Sequence, residues 1–284
     1  MAASRLSRAC LVWMLVIVAT GCPGLAAAFD DRLECAVVAR SLGYWDLREP
    51  KSFTPSSGLV PEYGGWTRDW TERRAYARLG WRLVDAPHLL LVPGLHLGVA
   101  QGRFTARNVA IGYYESWETR PAFLWGPRLR LVWRRAPQQG AFLLLRYALF
   151  FANAPEGRED VASRTGTATP PSLRDAVFSW RSHEVTAAVG YDWGRVSLSA
   201  GLMLTAFHLD KRLTHHIDPT GATGNALAAI LALDAQTSRY AYEPRTLVAP
   251  YLSFRLRPGA GCSLEASLRP AAQPDIALSA SLSF

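Results

Sequence analysis

The residues best suited to chemistry in this chain are histidines that stand close to carboxylates or to a serine. His208 and Asp210 are separated by one residue in the run His-Leu-Asp, and a histidine oriented by a carboxylate can act as a general base in hydrolysis. In Ser182-His183-Glu184 a nucleophile and a base are neighbours. Neighbours in a β-strand point to opposite faces and cannot meet. The sequence therefore predicts no complete catalytic site, and His208 and Asp210 are the candidates for one.

The segment from His208 to Asp218 holds the densest set of metal-ligand residue types in the chain, because His215 and His216 follow the first pair. Zinc sites use recognisable ligand spacings, and none of them occurs in this segment. We therefore predict neither a metal centre nor a cofactor. His215 and His216 are kept as candidate ligands.

The elements that must position these residues are segments in which apolar and polar residues alternate. In the last segment, apolar residues occupy every second position from Ile276 to Phe284, and the positions between them are small or polar. A period of two is that of a β-strand with one apolar face. The predicted strands are Cys35 to Leu47, Arg73 to Val84, His88 to Phe104, Arg120 to Arg135, Ala141 to Asn153, Ala176 to Tyr191, Arg195 to Leu209, Pro244 to Arg257, Cys262 to Arg269 and Asp275 to Phe284.

The connections between these strands alternate in length. Short turns at 85–87, 136–140, 192–194 and 258–261 are interleaved with long segments at roughly 48–71, 105–119, 154–175 and 213–240. Short turns on one side and long loops on the other are typical of membrane barrels. We therefore predict an all-β fold, a transmembrane up-and-down antiparallel β-barrel of about ten strands in the bacterial outer membrane. Alternation by itself also fits a soluble exported β-sandwich that binds a ligand or partner, and this alternative stays open here.

The chain begins with the features of an export signal. Arg5 and Arg8 precede an apolar run at 11–19 and small residues that end at Ala28, which is the order of a secretory signal. We predict a signal peptide over 1–28 and a barrel domain over 29–284. The run that ends at Cys22 also resembles the lipobox of bacterial lipoproteins, so acylation of Cys22 after cleavage is an alternative.

The C-terminal Ser281-Leu282-Ser283-Phe284 resembles the insertion signal of bacterial outer-membrane proteins, an alternating strand that ends on an aromatic residue. The resemblance implies that Leu282 and Phe284 are read by the barrel-insertion machinery. It also implies outer-membrane lipid as a partner of the mature protein. It names a class of proteins and no particular family.

The predicted strand number and the length also resemble the omptin proteases of the outer membrane, whose external rim carries a His-Asp pair and an Asp pair. Here the order is His-x-Asp, from His208 to Asp210, where that family has Asp-x-His, and Asp69 stands without a second aspartate in its loop. The resemblance implies an alternative function, an outer-membrane protease with its site at the external rim. The residue types of Ser182-His183-Glu184 resemble those that outer-membrane phospholipases need, so a lipase is the other form of this hydrolase alternative.

Strand parity directs many basic side chains to the inside of the predicted barrel. The inward basic positions are Arg78, Arg82, Arg128, Arg130, Arg134, Arg146, Arg255, Arg257 and Arg269. The inward acidic positions are Glu184, Asp192 and Glu265. We expect either a packed network of arginines, carboxylates and water or a path that favours small anionic solutes. The predicted function is a small pore or structural membrane protein with a basic, arginine-lined interior.

The formal net charge of +8 first suggests nucleic acid as a partner. However, the arginines are scattered along strands and form no basic arm with interleaved aromatic residues, so no nucleic-acid partner is predicted. Aromatic residues near strand ends fit the girdles of a membrane barrel, with core packing as the alternative for any one of them. They are Trp45, Trp81, Trp125, Trp133, Trp180, Trp193 and Tyr191.

Two cysteines remain after the signal, Cys35 and Cys262, at the starts of the first and ninth predicted strands. Barrel closure would place them two strands apart, about 9.6 Å, which exceeds the ~7 Å limit between Cα atoms in a disulfide. A frayed first strand would permit a bridge, so a disulfide and two separate thiols are both left open. The best helix candidate is the apolar segment Ala226 to Ala235.

Overall fold

The computed structural model describes residues 32–45, 47, 52–53, 66–109, 113–136, 139–161, 173–216, 237–242, 247–259, 262–270 and 275–283. Within these ranges the regular elements are β-strands. No helix long and apolar enough to cross a membrane occurs in them. The segment Ala226 to Ala235, predicted as a helix, lies outside the described residues.

The strands follow the chain in this order. They are β1 (Leu33–Tyr44), β2 (Ser52–Phe53), β3 (Trp66–Trp81), β4 (Val84–Ala86), β5 (Leu89–Asn108), β6 (Tyr113–Thr119), β7 (Ala122–Arg134), β8 (Gly140–Val161), β9 (Leu173–Asp192), β10 (Val196–His216), β11 (Thr237–Tyr242), β12 (Leu247–Gly259), β13 (Cys262–Arg269) and β14 (Asp275–Ser283).

Ten of these strands close into one antiparallel barrel. Its order is β1, β3, β5, β7, β8, β9, β10, β12, β13 and β14, and β14 pairs back onto β1 with Val37 opposite Ala280. A β-sandwich has two separate sheets, so the sandwich alternative is wrong. The predicted up-and-down barrel of ten strands is confirmed.

One end of the barrel, called the turn end below, carries the short turns, the start of β1 and the end of β14. Two of its turns contain glycines with positive φ, Gly140 at 124° and Gly194 at 90°, a conformation that glycine adopts without steric cost. The opposite end is called the outer end. In membrane barrels the short turns face the periplasm, which fixes the orientation used below.

The strands continue farther towards the outer end than the sequence predicts. β8 runs to Val161 and β10 to His216, while the short strands β6 and β11 extend the ladders of β5 and β10. The long loops predicted at 154–175 and 213–240 are therefore partly strand, and His215 and His216 lie at the end of β10 instead of in a loop. The prediction was wrong because apolar residues no longer mark the outward face there, although the strands stay paired.

The face of the strands that carries the apolar residues changes along the barrel. It is the outer face near the turn end and the inner face near the outer end. On β9, the positions near the turn end have apolar residues outside, such as Val189, and polar residues inside, such as Glu184. Farther towards the outer end, Trp180 and Phe178 are buried inside and Arg181 is exposed outside. The lower part of the barrel therefore presents an apolar surface to its surroundings, and the upper part presents a polar one.

Aromatic side chains mark both edges of the apolar surface. Trp81, Trp133 and Trp193 are exposed near the turn end, and Trp125 stacks on Phe151 near the upper edge with their ring centroids 4.8 Å apart. This arrangement fits the aromatic girdles of membrane barrels. Trp180, predicted for a girdle, is instead only 3% exposed and packs inside the barrel, because its position has inward parity.

Candidate functional site

The barrel interior has three layers, and the first is a cavity near the turn end. This arginine cavity has a volume of about 370 Å³. Its basic lining residues are Arg78, Arg82, Arg128, Arg130, Arg134, Arg146, Arg255 and Arg257, and its acidic ones are Glu34, Asp85, Asp192 and Glu265. Strand parity brings these side chains together from eight strands, and Arg82 joins them from the turn after β3.

Three carboxylates neutralise part of this charge. Glu34 accepts hydrogen bonds from Arg130 at 2.7 Å and from Arg82 at 3.2 Å. These are charge-assisted bonds, which are the stronger kind in proteins.

Glu265 accepts from Arg146 and from Arg255, each at 2.8 Å, and Asp192 accepts from Arg257 at 2.8 Å. With Glu34, the three carboxylates thus engage five arginines, so the cavity keeps an excess of positive charge.

The second layer is an ion-pair belt at mid-height. Its members are Glu72, Arg74, Glu184, Arg40, Asp275 and Arg269. Arg74 donates to both oxygens of Glu72 at 2.7 and 2.9 Å, and to Glu184 at 3.1 Å. Breaking one buried ion pair leaves an uncompensated charge, which is strongly destabilising. The belt therefore ties strands on opposite sides of the barrel to one another.

The third layer is an aromatic cluster that fills the barrel towards the outer end. Its members are Tyr44, Trp70, Phe104, Trp117, Phe178, Trp180 and Phe207, and all are nearly or fully buried. Trp70 lies 4.9 Å from Trp180 between ring centroids, in an edge-to-face arrangement. A Cβ atom at Gly102 would overlap the Trp70 indole, so only glycine allows this packing.

A buried ion pair crosses the aromatic cluster. The Lys211 ammonium donates to Glu115 at 2.7 Å, and it lies 4.7 Å from the Phe104 ring centroid and 5.1 Å from that of Trp117. A cation over an aromatic face is attracted by the ring electrons. The described side chains at this height thus pack against one another across the barrel.

The lumen residues predicted from the sequence line the two interior cavities. Eight of the predicted arginines line the arginine cavity. Arg269 and Glu184 line a smaller cavity of about 100 Å³ above it, together with His96, Tyr76 and Phe150. Asp192 and Glu265 lie in the arginine cavity.

The candidate catalytic residues lie elsewhere. His208 and Asp210 are on the outer wall of β10, with His208 Nε2 3.6 Å from Asp210 Oδ2. Ser182 is buried inside, where it accepts a hydrogen bond from Arg74 at 3.0 Å, whereas His183 on the outside meets the Tyr147 hydroxyl at 3.1 Å. Ser182 and His183 therefore face away from each other. His215 and His216 end β10, and among the described residues no group of His, Cys, Asp and Glu is arranged to hold a metal ion.

The two cysteines are both thiols, with no disulfide between them. Each is paired with Leu282, on opposite sides of β14, so two strand spacings separate Cys35 from Cys262. Leu282 lies in β14 near the turn end, and Phe284 lies outside the described residues. The reading of Leu282 and Phe284 by the insertion machinery stays a prediction.

Sequence reasoning missed several interior charges, namely Glu34, Arg40, Glu72, Arg74, Glu115, Lys211 and Asp275. Arg74 has the same parity as Arg78 and Arg82, so the signal for it was present. Glu72 fell outside because the second strand was predicted to start at Arg73. Glu115 lay in a segment interpreted as a loop, and Lys211 lay beyond the predicted end of the seventh strand at Leu209.

A closed barrel whose lower exterior is apolar, with aromatic residues at both edges, is suited to span a membrane. Bacterial single-chain barrels with an even number of strands reside in the outer membrane. This chain is a bacterial outer-membrane β-barrel protein. Its interior, unlike its exterior, is polar and charged in the part that the membrane surrounds.

No protein-family model matches the chain. No curated protein matches it either. Among solved structures it is similar to the transport unit of the autotransporter AIDA-I from Escherichia coli, at 9% identity over 89% of each chain with a TM-score of 0.37. It is also similar to the Ralstonia pickettii toluene transporter TbuX, at 7% identity over 90% of each chain with a TM-score of 0.34. A third is the COG4313 outer membrane channel from Pseudomonas putida F1, at 12% identity over 90% of this chain and 97% of that one, with a TM-score of 0.32.

Proposed function

We propose that the barrel is a small pore that favours anions, with its outer half closed by the aromatic cluster in the conformation described. The observation that carries the proposal is the charge of the arginine cavity, where eight arginines face four carboxylates. A pore lined by arginines selects anions. The excess of positive charge supports entry of small anions from the periplasmic side.

The surroundings of the cavity strengthen this effect. Lipid surrounds the lower barrel, and low-dielectric walls focus the field of charges that line a cleft. Arg130 and Arg128 lie two residues apart on β7 with the same inward parity. Their charges therefore act on the same part of the lumen.

Ion selectivity in planar lipid bilayers tests the proposal. We expect the reversal potential in a KCl gradient to show a preference for chloride, and the double variant Arg128→Gln/Arg130→Gln to reduce it. The matched control is Arg73→Gln/Arg103→Gln, which removes two exposed arginines from the outer wall and should leave selectivity nearly unchanged. Cation preference would contradict the proposal. Absence of conductance from a barrel that is verified to have inserted into the bilayer would also contradict the pore, and would indicate a structural membrane protein instead.

A second candidate function is hydrolysis at the outer wall. The observation in its favour is the contact between His208 and Asp210, which suits a histidine oriented by a carboxylate. The test is a peptidase and lipase assay with purified protein and with His208→Ala and Asp210→Ala. Activity that survives both substitutions would remove the pair from consideration.

A further inference from the structure

Three side chains on neighbouring strands of the barrel form a cluster that takes no part in the ion pairs described above. Arg78 on β3 pairs in register with His96 on β5, and Arg128 on β7 is the diagonal neighbour of His96. Diagonal neighbours across a sheet are about 7–8 Å apart, within reach of long side chains. We call Arg78, His96 and Arg128 the mid-lumen cluster.

The charges of the two guanidinium groups are only partly compensated, by carboxylates that they do not contact. Within the part of the chain that the structure describes, neither guanidinium forms an ion pair or a side-chain hydrogen bond, and the Arg78 Nε atom is buried without a hydrogen-bond partner. His96 is 3% exposed, and neither of its ring nitrogens has a partner. Buried polar groups are nearly always hydrogen-bonded, so the cluster has donors that a bound acceptor would satisfy.

The neighbouring carboxylate is already used. Glu265 accepts hydrogen bonds from Arg146 at 2.8 Å, Ser253 at 3.1 Å and Arg255 at 2.8 Å. The Tyr251 hydroxyl also donates to it at 3.5 Å, so the roughly four acceptor positions of this carboxylate are filled. Glu265 therefore forms no hydrogen bond with Arg78 or Arg128, although its charge acts on Arg78 from a distance.

The cluster borders open space. All three residues line the cavity of about 100 Å³, and the two arginines also line the arginine cavity of about 370 Å³. Gly80 lies beside them, where an added Cβ would come within 3.4 Å of Arg128 Nη2. Since a water molecule's share of liquid volume is about 30 Å³, a tetrahedral oxyanion has room there.

We propose that the mid-lumen cluster binds a small tetrahedral oxyanion, of the phosphate or sulfate class. This inference rests on the proposed function, since it names a ligand class for the same lumen. The guanidinium groups of Arg78 and Arg128 donate to the oxyanion, for which arginine's planar fork is well suited. A ring N–H of His96 supplies a further donor, and its ring is held in place by Phe150, stacked at 4.5 Å between centroids.

Equilibrium dialysis of the purified, folded full-length barrel against radiolabelled inorganic phosphate or sulfate tests the site, with chloride at matched ionic strength as competitor. We expect saturable binding of about one anion per barrel, weakened on the order of tenfold by Arg128→Gln or Arg78→Gln, because charge-assisted hydrogen bonds are lost. The control Arg73→Gln removes an exposed arginine from the outer wall of β3 and should bind like the wild type.

Two further variants keep the test decisive should a glutamine variant fail to fold. Arg128→Lys keeps the charge but loses the fork, and His96→Phe keeps the ring stacking but loses the N–H, so both should bind more weakly than the wild type. Dialysis against glycerol phosphate distinguishes binding of the free anion, which fits both cavities, from binding of a phosphate ester. Stronger binding of the ester would place the ligand in the larger cavity and overturn the site at His96.

Binding that chloride displaces at equal ionic strength, or that Arg73→Gln weakens equally, would overturn the site. Its failure is distinguishable from failure of the proposed function. A barrel that is anion-selective in bilayers but binds no oxyanion contradicts this inference alone. A barrel that binds the oxyanion but prefers cations contradicts the proposed pore alone.

Discussion

Glu265 is the carboxylate on which the arginine cavity depends most. It accepts from Arg146 and Arg255, and its side chain is 7% exposed. Two cations and one carboxylate at this burial are stable only together, because each arginine would otherwise be held in a low-dielectric interior without a counter-charge.

Replacing Glu265 by Gln should therefore lower the free energy of unfolding by about 3 kcal/mol, the lower end of the range for breaking a buried ion pair. Denaturant titration of the barrel refolded in lipid vesicles measures this change. The control Asp85→Asn removes a carboxylate 3.6 Å from Arg82 that is 52% exposed, and it should have almost no effect. Equal stability of the Glu265→Gln variant and the wild type would contradict the structural role of this residue.

The inward position of Glu265 and Arg146 could be predicted, whereas their pairing could not. Both lie in strands with a clear period of two, so parity alone assigns their face. The two residues are 119 positions apart in sequence, and only barrel closure brings them together. Arg40 was missed for a different reason, since both faces of β1 mix apolar residues with small or polar ones and differ little in hydropathy.

At the scale of the elements, the change of apolar face explains which strand features the sequence revealed. On β5, the outward positions change from Leu97 and Val99 to Gln101 and Arg103, while the inward ones change from His96 to Phe104. A strand prediction that follows one apolar face ends at the point where the apolar residues pass from the outward to the inward face. The lower strands were therefore predicted well, and their upper extensions were interpreted as loops.

The lower outward face also makes a quantitative prediction. Leu202 on β10 is 57% exposed and lies among apolar outward neighbours. Leu202→Arg should destabilise the barrel in vesicles by about 2–4 kcal/mol, the cost of arginine on the lipid face near the midplane. Leu202→Phe keeps the position apolar and should change stability little. If the two variants unfold at the same denaturant concentration, lipid does not contact this face at Leu202.

At the scale of the whole molecule, the interior is open near the turn end and packed near the outer end. The aromatic cluster draws its members from strands far apart in the chain, so no local sequence pattern indicates it. In the pore proposed above, ions must therefore pass Trp70 and Phe104, both fully buried.

The double variant Trp70→Ala/Phe104→Ala should accordingly raise single-channel conductance in planar bilayers, because two large rings are removed from the packed layer. Trp125→Ala is the matched control, since Trp125 is 44% exposed on the outer wall, and it should conduct like the wild type. Unchanged conductance in the double variant would show that the aromatic cluster is not the barrier.

The change of apolar face along the strands also sets how deep the protein sits. Arg73, Arg103 and Arg181 mark the upper margin of the apolar surface on three strands, and all three are exposed on the outer wall. Movement of the barrel towards the periplasm would draw these guanidinium groups into hydrocarbon, and movement outwards would bring leucines such as Leu95 and Leu97 closer to water. Both displacements cost free energy. The barrel therefore has one preferred immersion depth, which is set by the boundary on its wall between the surface that contacts lipid and the surface that contacts water.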